Sequence, residues 1–205
     1  MIGFALGAAT VLLAVWLRGR LAGFAAQASG DYAGGPVLDI RSALNGALVC
    51  EGVIHGPDGR ARSRFAGEIQ AVWQGSRCRM AEVFRYDGGA VDRRDWVLDL
   101  APDGTISAAA TDLVGRAIGR QRGSALVLRY RIRLAPDAGG HVLSVTDWMY
   151  ATPGGSIVNR SQFRKWGVLV AELVATIRPA PVRDAERCRG TSARAPRAAG
   201  RWRGR

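Results

Sequence analysis

Lysine, histidine and paired cysteines are scarce in this chain, and each shortage argues against one class of site. Lys165 is the single lysine among 29 basic residues, and His55 and His141 are the two histidines in 205 residues. Neither histidine has metal-ligand spacing to other candidate ligands. The three cysteines contain no C-x-x-C pair, so the sequence predicts neither a metal site nor a cofactor. Cys50 and Cys78 lie in predicted strands and are expected to be buried free thiols; a disulfide between them would need an oxidising compartment.

The excess of arginine does not predict a nucleic-acid partner, because it is concentrated at one end of the chain. The formal net charge is +12. Residues 179–205 contribute +6 of it, from eight arginines against Asp184 and Glu186. Residues 21–178 contribute +4, from 19 basic and 15 acidic side chains. A folded nucleic-acid reader carries its basic charge on the domain itself. Residues 179–205 also lack apolar periodicity, and we predict that they form a disordered, arginine-rich tail.

An apolar run from Ile2 to Leu17 is followed by Arg18 and Arg20. A cleaved signal peptide carries its positive charge before the apolar run, so an uncleaved transmembrane helix is favoured. We therefore predict a membrane anchor over residues 1–28, a glycine-rich linker over 29–36 and a single-pass protein of the cell inner membrane. The positive-inside rule applied to the two arginines would place the following domain in the cytoplasm.

Residues 37–178 alternate between apolar and polar side chains and are divided by short turns rich in Gly, Pro and Asp. This pattern predicts antiparallel neighbours. The predicted strands are Ala47–Ile54, Arg60–Trp73, Arg77–Tyr86, Ala90–Leu100, Thr105–Asp112, Ser124–Leu134, His141–Tyr150, Ser156–Gln162 and Val168–Arg178, with residues 115–123 as a connection. A flat sheet would leave two open edges, and a sandwich would need long crossovers. The sequence therefore predicts an all-β, lipocalin-like up-and-down barrel of about eight to ten strands, large enough for one small apolar ligand.

Ionisable residues fall on the apolar parity of four predicted strands. They are Glu82, Arg94, Asp112 and Asp147, and Trp96 shares the parity of Arg94. Because an isolated buried charge costs several kcal/mol, each needs a partner, and the Arg94 fork can hold a carboxylate. Three interpretations are open: an internal network that fixes the barrel, a polar end of a cavity that orients a ligand head group, and an acid/base pair. The sequence supplies no nucleophile with a base beside it, so no catalytic residue is assigned.

The hairpin from Val145 to Gly167 adds more polar and aromatic candidates. Asn159 has the inward parity of its strand, Arg160 faces outward or caps the barrel, and Ser161 follows them. Trp148 and Tyr150 are expected to pack in the core or at the rim. We include Asn159, Arg160, Ser161, Trp148 and Tyr150 with the inward charges as ligand-binding or internal-network residues.

The same hairpin resembles a bacterial domain-of-unknown-function family labelled as lipoproteins. The resemblance rests on a series of short motifs over residues 37–178: Glu82-x-Phe84, Arg94-x-Trp96, Asp112-x-x-Gly115, Asp147-Trp148-Met149-Tyr150, Asn159-Arg160-Ser161, Lys165-Trp166-Gly167 and Ala171-Glu172. Two features depart from the family pattern. No lipobox cysteine follows the apolar run, which favours a transmembrane anchor over lipid attachment, and Trp166 replaces the usual phenylalanine.

The resemblance implies a small lipocalin-like barrel at the cell envelope, on the periplasmic side, and carries no established catalytic residues. Our first hypothesis is therefore a membrane-anchored barrel that binds a fatty acid or other lipid. The alternatives are an enzyme that uses an inward carboxylate as acid or base on a lipid-like substrate, and a membrane-associated interaction module without a ligand.

Overall fold

The computed structural model describes residues 7, 9–11, 13–15, 17, 21 and 23–181. Thirteen of the 28 residues of the predicted anchor (residues 1–28), and all of the predicted tail (residues 179–205) after residue 181, therefore lie outside the described residues. Within the described part of the chain, no helix is both long enough and apolar enough to cross a membrane.

Ten antiparallel strands form a closed barrel in which every strand pairs with its neighbours in sequence. The fold prediction of an all-β, lipocalin-like up-and-down barrel is confirmed. The last strand pairs with the first, with Cys50 opposite Ile177, and so removes both edges of the sheet. The strands are β1 (Gly46–His55), β2 (Ala61–Gln74), β3 (Arg77–Tyr86), β4 (Val91–Leu100), β5 (Thr105–Ala110), β6 (Ala117–Arg122), β7 (Ala125–Arg133), β8 (Val142–Ala151), β9 (Ile157–Lys165) and β10 (Val168–Pro179).

Strand β6 lies where the sequence predicted a connection over residues 115–123, so that prediction was wrong. Its one bulky apolar residue, Ile118, is exposed on the outer face. The inward positions hold Ala117, Gly119 and Gln121, which give no apolar alternation. Gly119 permits close approach of β7, because a Cβ there would lie 2.0 Å from the Val127 carbonyl oxygen. The short β6 therefore exists through its pairing with β5 and β7 rather than through its own pattern.

A short α-helix, Ile40–Ala43, closes one end of the barrel. Its N-cap residue Asp39 accepts a hydrogen bond from the Arg41 amide, and the Ile40 side chain is fully buried. Two long-range hydrogen bonds hold the segment in place: Trp73 Nε1 donates to the Leu44 carbonyl (2.8 Å), and the Ile40 amide donates to Gln121 Oε1 (3.0 Å). We call this the plugged end.

The opposite end, formed by the connections 55–61, 86–91, 110–117, 133–142 and 165–168, has no comparable cover among the described residues. Four large side chains that face inward near these connections, Phe84, Tyr86, Phe163 and Leu173, remain half-buried. At the plugged end, in contrast, Leu48, Ile69, Cys78 and Ile106 are at most 2% exposed. We call the less covered side the open end.

The chain before the plug packs against the outside of the barrel. It contains two 3-10 turns: Phe24–Ala26 lies in the segment predicted as part of the anchor, and Ser29–Tyr32 lies in the segment predicted as a linker. The Tyr32 ring lies 5.2 Å from that of Trp148 and 5.3 Å from that of Tyr150, centroid to centroid. The Arg160 guanidinium lies 5.1 Å from the centre of the Phe24 ring. We call residues 23–36 the outer strap.

Candidate functional site

Three charged side chains form a row across adjacent strands inside the barrel. Register places Glu82 of β3 opposite Arg94 of β4. Trp96 is opposite Ala110 of β5, so Asp112, two residues further along, lies next to Arg94. Arg94 Nη2 and Asp112 Oδ2 are 2.6 Å apart, and each side chain is 29% exposed. The row exists because Glu82 and Arg94 occupy inward positions of paired strands, and Asp112 follows the end of β5 beside them.

Aromatic rings connect this row to the other side of the barrel. Trp96 Nε1 donates a hydrogen bond to Glu82 Oε2 (3.1 Å), and the Arg94 guanidinium lies 5.7 Å from the centre of the Trp96 ring. Trp96 also contacts Tyr130 of β7 edge to face, with the ring centroids 5.5 Å apart. The Tyr130 hydroxyl then donates to Asp147 Oδ2 (3.4 Å).

Asp147 of β8 is 8% exposed and is held by donors from β9 as well as β7. Asn159 Nδ2 and Ser161 Oγ both donate to its Oδ1, the second at 2.9 Å. Asn159 Nδ2 also donates to the Trp148 carbonyl (3.0 Å), which fixes the orientation of the amide. We call the set Glu82, Arg94, Asp112, Tyr130, Asp147, Asn159 and Ser161 the inner polar cluster.

Burial changes the protonation of two carboxyl groups in the cluster. It raises the pKa of Glu82 to about 7, against the opposing effects of the Arg94 charge and the Trp96 N–H. Burial also raises the pKa of Asp147, although the hydrogen bonds from Ser161, Asn159 and Tyr130 favour its charged form. Glu82 nevertheless keeps some accessible surface, as expected of a side chain that lines the inside of a barrel rather than its packed wall. It can therefore exchange a proton near neutral pH.

The cluster contains three carboxyl groups and one guanidinium, so its acidic groups outnumber its basic one. Asp112 Oδ1 is buried and has no hydrogen-bond partner among the described residues. A buried acceptor without a donor costs about 1–3 kcal/mol, which a bound hydroxyl, amine or water would recover. The arrangement can orient a polar group and can transfer a proton through Glu82. Ser161 is the one aliphatic hydroxyl of the cluster, and it donates to Asp147 Oδ1 (2.9 Å).

The sequence-predicted site residues divide into two groups. Glu82, Arg94, Trp96, Asp112, Asp147, Asn159 and Ser161 come together inside the barrel. Trp148, Tyr150 and Arg160 face outward and contact the outer strap instead. Arg160 also pairs with Glu172 on the outer wall (Nε to Oε1, 3.0 Å).

Sequence reasoning missed Tyr130 as a member of the cluster, because β7 otherwise has only apolar residues on its inner face. The available signal was chemical: a buried tyrosine hydroxyl requires a polar partner. Cys50 and Cys78 are buried free thiols. Burial raises the pKa of Cys50 to about 12 and of Cys78 to about 11, so neither is a reactive thiolate.

Two surface clefts lie outside the cluster. One of about 740 Å³ lies at the plugged end beside Asp39 and Asp99, and one of about 480 Å³ lies on the outer wall around Gly52. In the part of the chain that the structure describes, no three His, Cys, Asp or Glu side chains are close enough to hold a metal ion.

Comparison with solved structures supports the barrel fold. The structure of the S-type phycobiliprotein lyase CPES from Guillardia theta matches with a TM-score of 0.50 at 9% sequence identity, covering 68% of this chain and 90% of the lyase. Two redesigned β-barrels bound to DFHBI, mFAP0 and mFAP1, match with TM-scores of 0.38 and 0.37 at 11% and 12% identity. They cover 66% and 67% of this chain and 98% and 95% of their own. At these identities the likeness concerns the fold alone.

No curated protein matches the chain significantly in sequence. A family model described as "Protein of unknown function (DUF3833)" matches residues 19–179. The match includes all ten strands, the inner polar cluster and the whole outer strap. The predicted membership of a domain-of-unknown-function family is thereby confirmed, and the chain belongs to the DUF3833 family.

Proposed function

We propose that this protein is a membrane-anchored lipocalin-like barrel that binds an apolar ligand, a fatty acid or another lipid, at the cell envelope. The observation that carries the proposal is the arrangement of the barrel interior. Half-buried Phe84, Tyr86, Phe163 and Leu173 line the open end. Two members of the inner polar cluster lie one inward position further from that end: Glu82 below Phe84 on β3, and Ser161 below Phe163 on β9. An apolar chain would contact the aromatic side chains while its head group reaches the cluster.

The charge of the cluster favours one kind of head group. Glu82, Asp112 and Asp147 outnumber Arg94, whose guanidinium is already paired with Asp112. The surplus of acidic groups would therefore disfavour a free carboxylate, whereas a hydroxylated or amine-bearing head group could donate to the unpartnered Asp112 Oδ1. We expect a monoacylglycerol to bind more tightly than the fatty acid of the same chain length.

The membrane part of the proposal is supported by the described residues of the N-terminal segment. Val11, Leu13, Val15 and Leu21 are each more than half exposed although they are apolar. A bilayer around this segment would cover them, which supports the proposal of a single-pass protein of the cell inner membrane. Protease protection in spheroplasts separates the periplasmic side, which the family resemblance favours, from the cytoplasmic side, which Arg18 and Arg20 favour.

The experiment that tests ligand binding uses the full chain in nanodiscs and a fluorescent acyl probe. Leu173→Trp fills the open end from inside, whereas Val174→Trp adds the same side chain to the outer face of the same strand. We expect the first variant to lose at least tenfold in probe affinity and the second to bind as the wild type does. Equal binding by both variants, or no saturable binding by the wild type, would mean that the barrel interior is filled by its own side chains.

A second pair of variants tests the head-group contact. Arg94 faces into the barrel, and Arg93, its neighbour in sequence, is exposed outside. We expect Arg94→Gln to change the preference for monoacylglycerol over fatty acid and Arg93→Gln to leave it unchanged. If both leave the preference unchanged, the inner polar cluster does not contact the ligand.

A further inference from the structure

The turn between β9 and β10 presents an apolar side chain to solvent at the open end. It consists of Lys165, Trp166, Gly167 and Val168. Trp166 is 91% exposed and Val168 is 67% exposed. A tryptophan at the tip of a hairpin adds nothing to the barrel core, so its exposure points to a contact outside the chain.

The backbone of this tip is unusual for a tryptophan. Trp166 has φ 51°, the one positive φ at a non-glycine residue among those the structure describes. This left-handed conformation suits glycine or asparagine and costs a bulky residue about 1–2 kcal/mol. Two hydrogen bonds of the Arg164 side chain stabilise the turn. Its Nη1 donates to the Gly167 carbonyl (2.9 Å), and its Nη2 donates to Gln162 Oε1 (2.7 Å). The indole therefore faces solvent on a turn that hydrogen bonds stabilise.

Positive charge surrounds the indole. The Lys165 ammonium lies 4.7 Å from the centre of the Trp166 ring, and the Arg164 guanidinium contacts the carbonyl of the following residue, Gly167. No acidic residue occurs between Gln162 and Ala171. Exposed tryptophan beside lysine and arginine is the combination that anchors proteins at the level of lipid head groups, with the ring among the head groups and the cations on lipid phosphates.

We propose that the tip 165–168 inserts into the surface of an anionic lipid bilayer, so that the open end of the barrel faces the membrane. The outer strap agrees with this orientation. The C-terminal part of the strap lies at the plugged end, where the Ser124 amide donates to the Tyr32 carbonyl (2.9 Å). Its N-terminal part lies further along the barrel wall, where Phe24 contacts Arg160 in the middle of β9. Strand β9 ends at the tip. A lipid could then pass between bilayer and barrel without crossing water.

This inference stands on the tip and not on the inner polar cluster, so the two proposals can fail separately. The test uses the full chain in vesicles of phosphatidylcholine with about 30% phosphatidylglycerol. The emission of Trp166 is obtained as the difference between the wild type and Trp166→Phe. It is measured with brominated lipids and, separately, with aqueous iodide. Trp73 at the plugged end, treated in the same way with Trp73→Phe, is the control.

We expect brominated lipids to quench the Trp166 emission at least twofold more than the Trp73 emission. Vesicles should also protect Trp166 from iodide, and Lys165→Glu should weaken that protection. Trp166 emission that iodide quenches equally with and without vesicles would overturn the proposal. Protection of Trp166 from iodide in nanodiscs or detergent, without quenching by brominated lipids, would also overturn the proposal. That result would mean that a protein surface or a second copy of the chain, and not the bilayer, covers the tip. The proposed N-terminal anchor would hold every variant on the vesicle, so differences between the variants report on the tip.

Discussion

Arg94 and Asp112 lie side by side inside the barrel, with Nη2 of one 2.6 Å from Oδ2 of the other, while the second Asp112 oxygen is buried and has no hydrogen-bond partner among the described residues. One oxygen therefore stabilises the fold and the other is left for a donor that the described chain does not supply. The two Asp112 oxygens therefore have separate roles. The contribution of the charge pair to stability and the contribution of the free oxygen to ligand binding can be tested separately.

A double-mutant cycle on Arg94→Gln and Asp112→Asn measures the coupling of the charge pair. We expect a coupling free energy of about 1–2 kcal/mol in urea unfolding, because the pair is screened from water on most sides. The exposed pair Arg64 and Asp87, at 3.7 Å, is the matched control and should couple by less than about 0.5 kcal/mol. Equal coupling in the two cycles would show that the interior is as well solvated as the outer surface.

Glu82 makes stability depend on pH. Its pKa is about 7 in the folded protein, above the value of 4.5 for an unperturbed glutamate. Between these values the unfolded chain releases the proton that the folded chain keeps, so the free energy of unfolding falls as pH rises through this window and levels off above about 7. We expect Glu82→Gln to gain about 3 kcal/mol relative to the wild type between pH 4 and pH 8. The free energy of unfolding is measured in urea at both pH values, and Glu51→Gln at an exposed position is the control. If the difference in this free energy between Glu82→Gln and the wild type is the same at both pH values, the raised pKa of Glu82 is contradicted.

Asp147 is expected to be the most sensitive polar position in the barrel. In Asp147→Asn the new amide group turns two N–H donors towards Asn159, Ser161 and Tyr130, which are themselves donors to the carboxylate. We expect a loss of about 2–3 kcal/mol in the free energy of unfolding. Ser161→Ala, which removes one donor, should cost about 1 kcal/mol, and Asp95→Asn on the exposed face of β4 should cost almost nothing. A neutral Asp147→Asn would mean that Asp147 is already protonated and that its partners can reorient.

Gly67 makes room for an aromatic ring at the open end. A Cβ at Gly67 would lie 2.5 Å from Cδ1 of Phe84, so Gly67→Ala must displace the ring, which also packs edge to face on Phe65. We expect a destabilisation of about 1–3 kcal/mol by urea unfolding. Because the displaced ring enters the path proposed for the ligand, binding of the acyl probe should weaken as well. Adding Phe84→Ala to Gly67→Ala should recover part of the stability that Gly67→Ala loses. If it recovers none, the strain caused by Gly67→Ala does not arise from contact with the Phe84 ring.

The sequence determined which side of each long strand faces the core, because alternation is a local property. Glu82, Arg94 and Asp147 share the parity of bulky apolar residues that can be counted directly in their own strands. The turns rich in Gly, Pro and Asp also determined that consecutive strands are antiparallel neighbours. These two local signals are sufficient for an up-and-down all-β fold.

Tertiary structure decided the features that depend on how strands meet. Strand β6 has no apolar alternation of its own and is defined by its neighbours. The pairing of β1 with β10 joins residues more than a hundred positions apart, and the register then decides that Arg94 meets Asp112 while Asp147 meets Tyr130, Asn159 and Ser161. Trp148 is buried on the outer face because the outer strap covers it, which no periodicity within β8 could reveal. Parity assigns a face, whereas register, closure and packing of separate segments assign partners, and the partners determine what the inner polar cluster can bind.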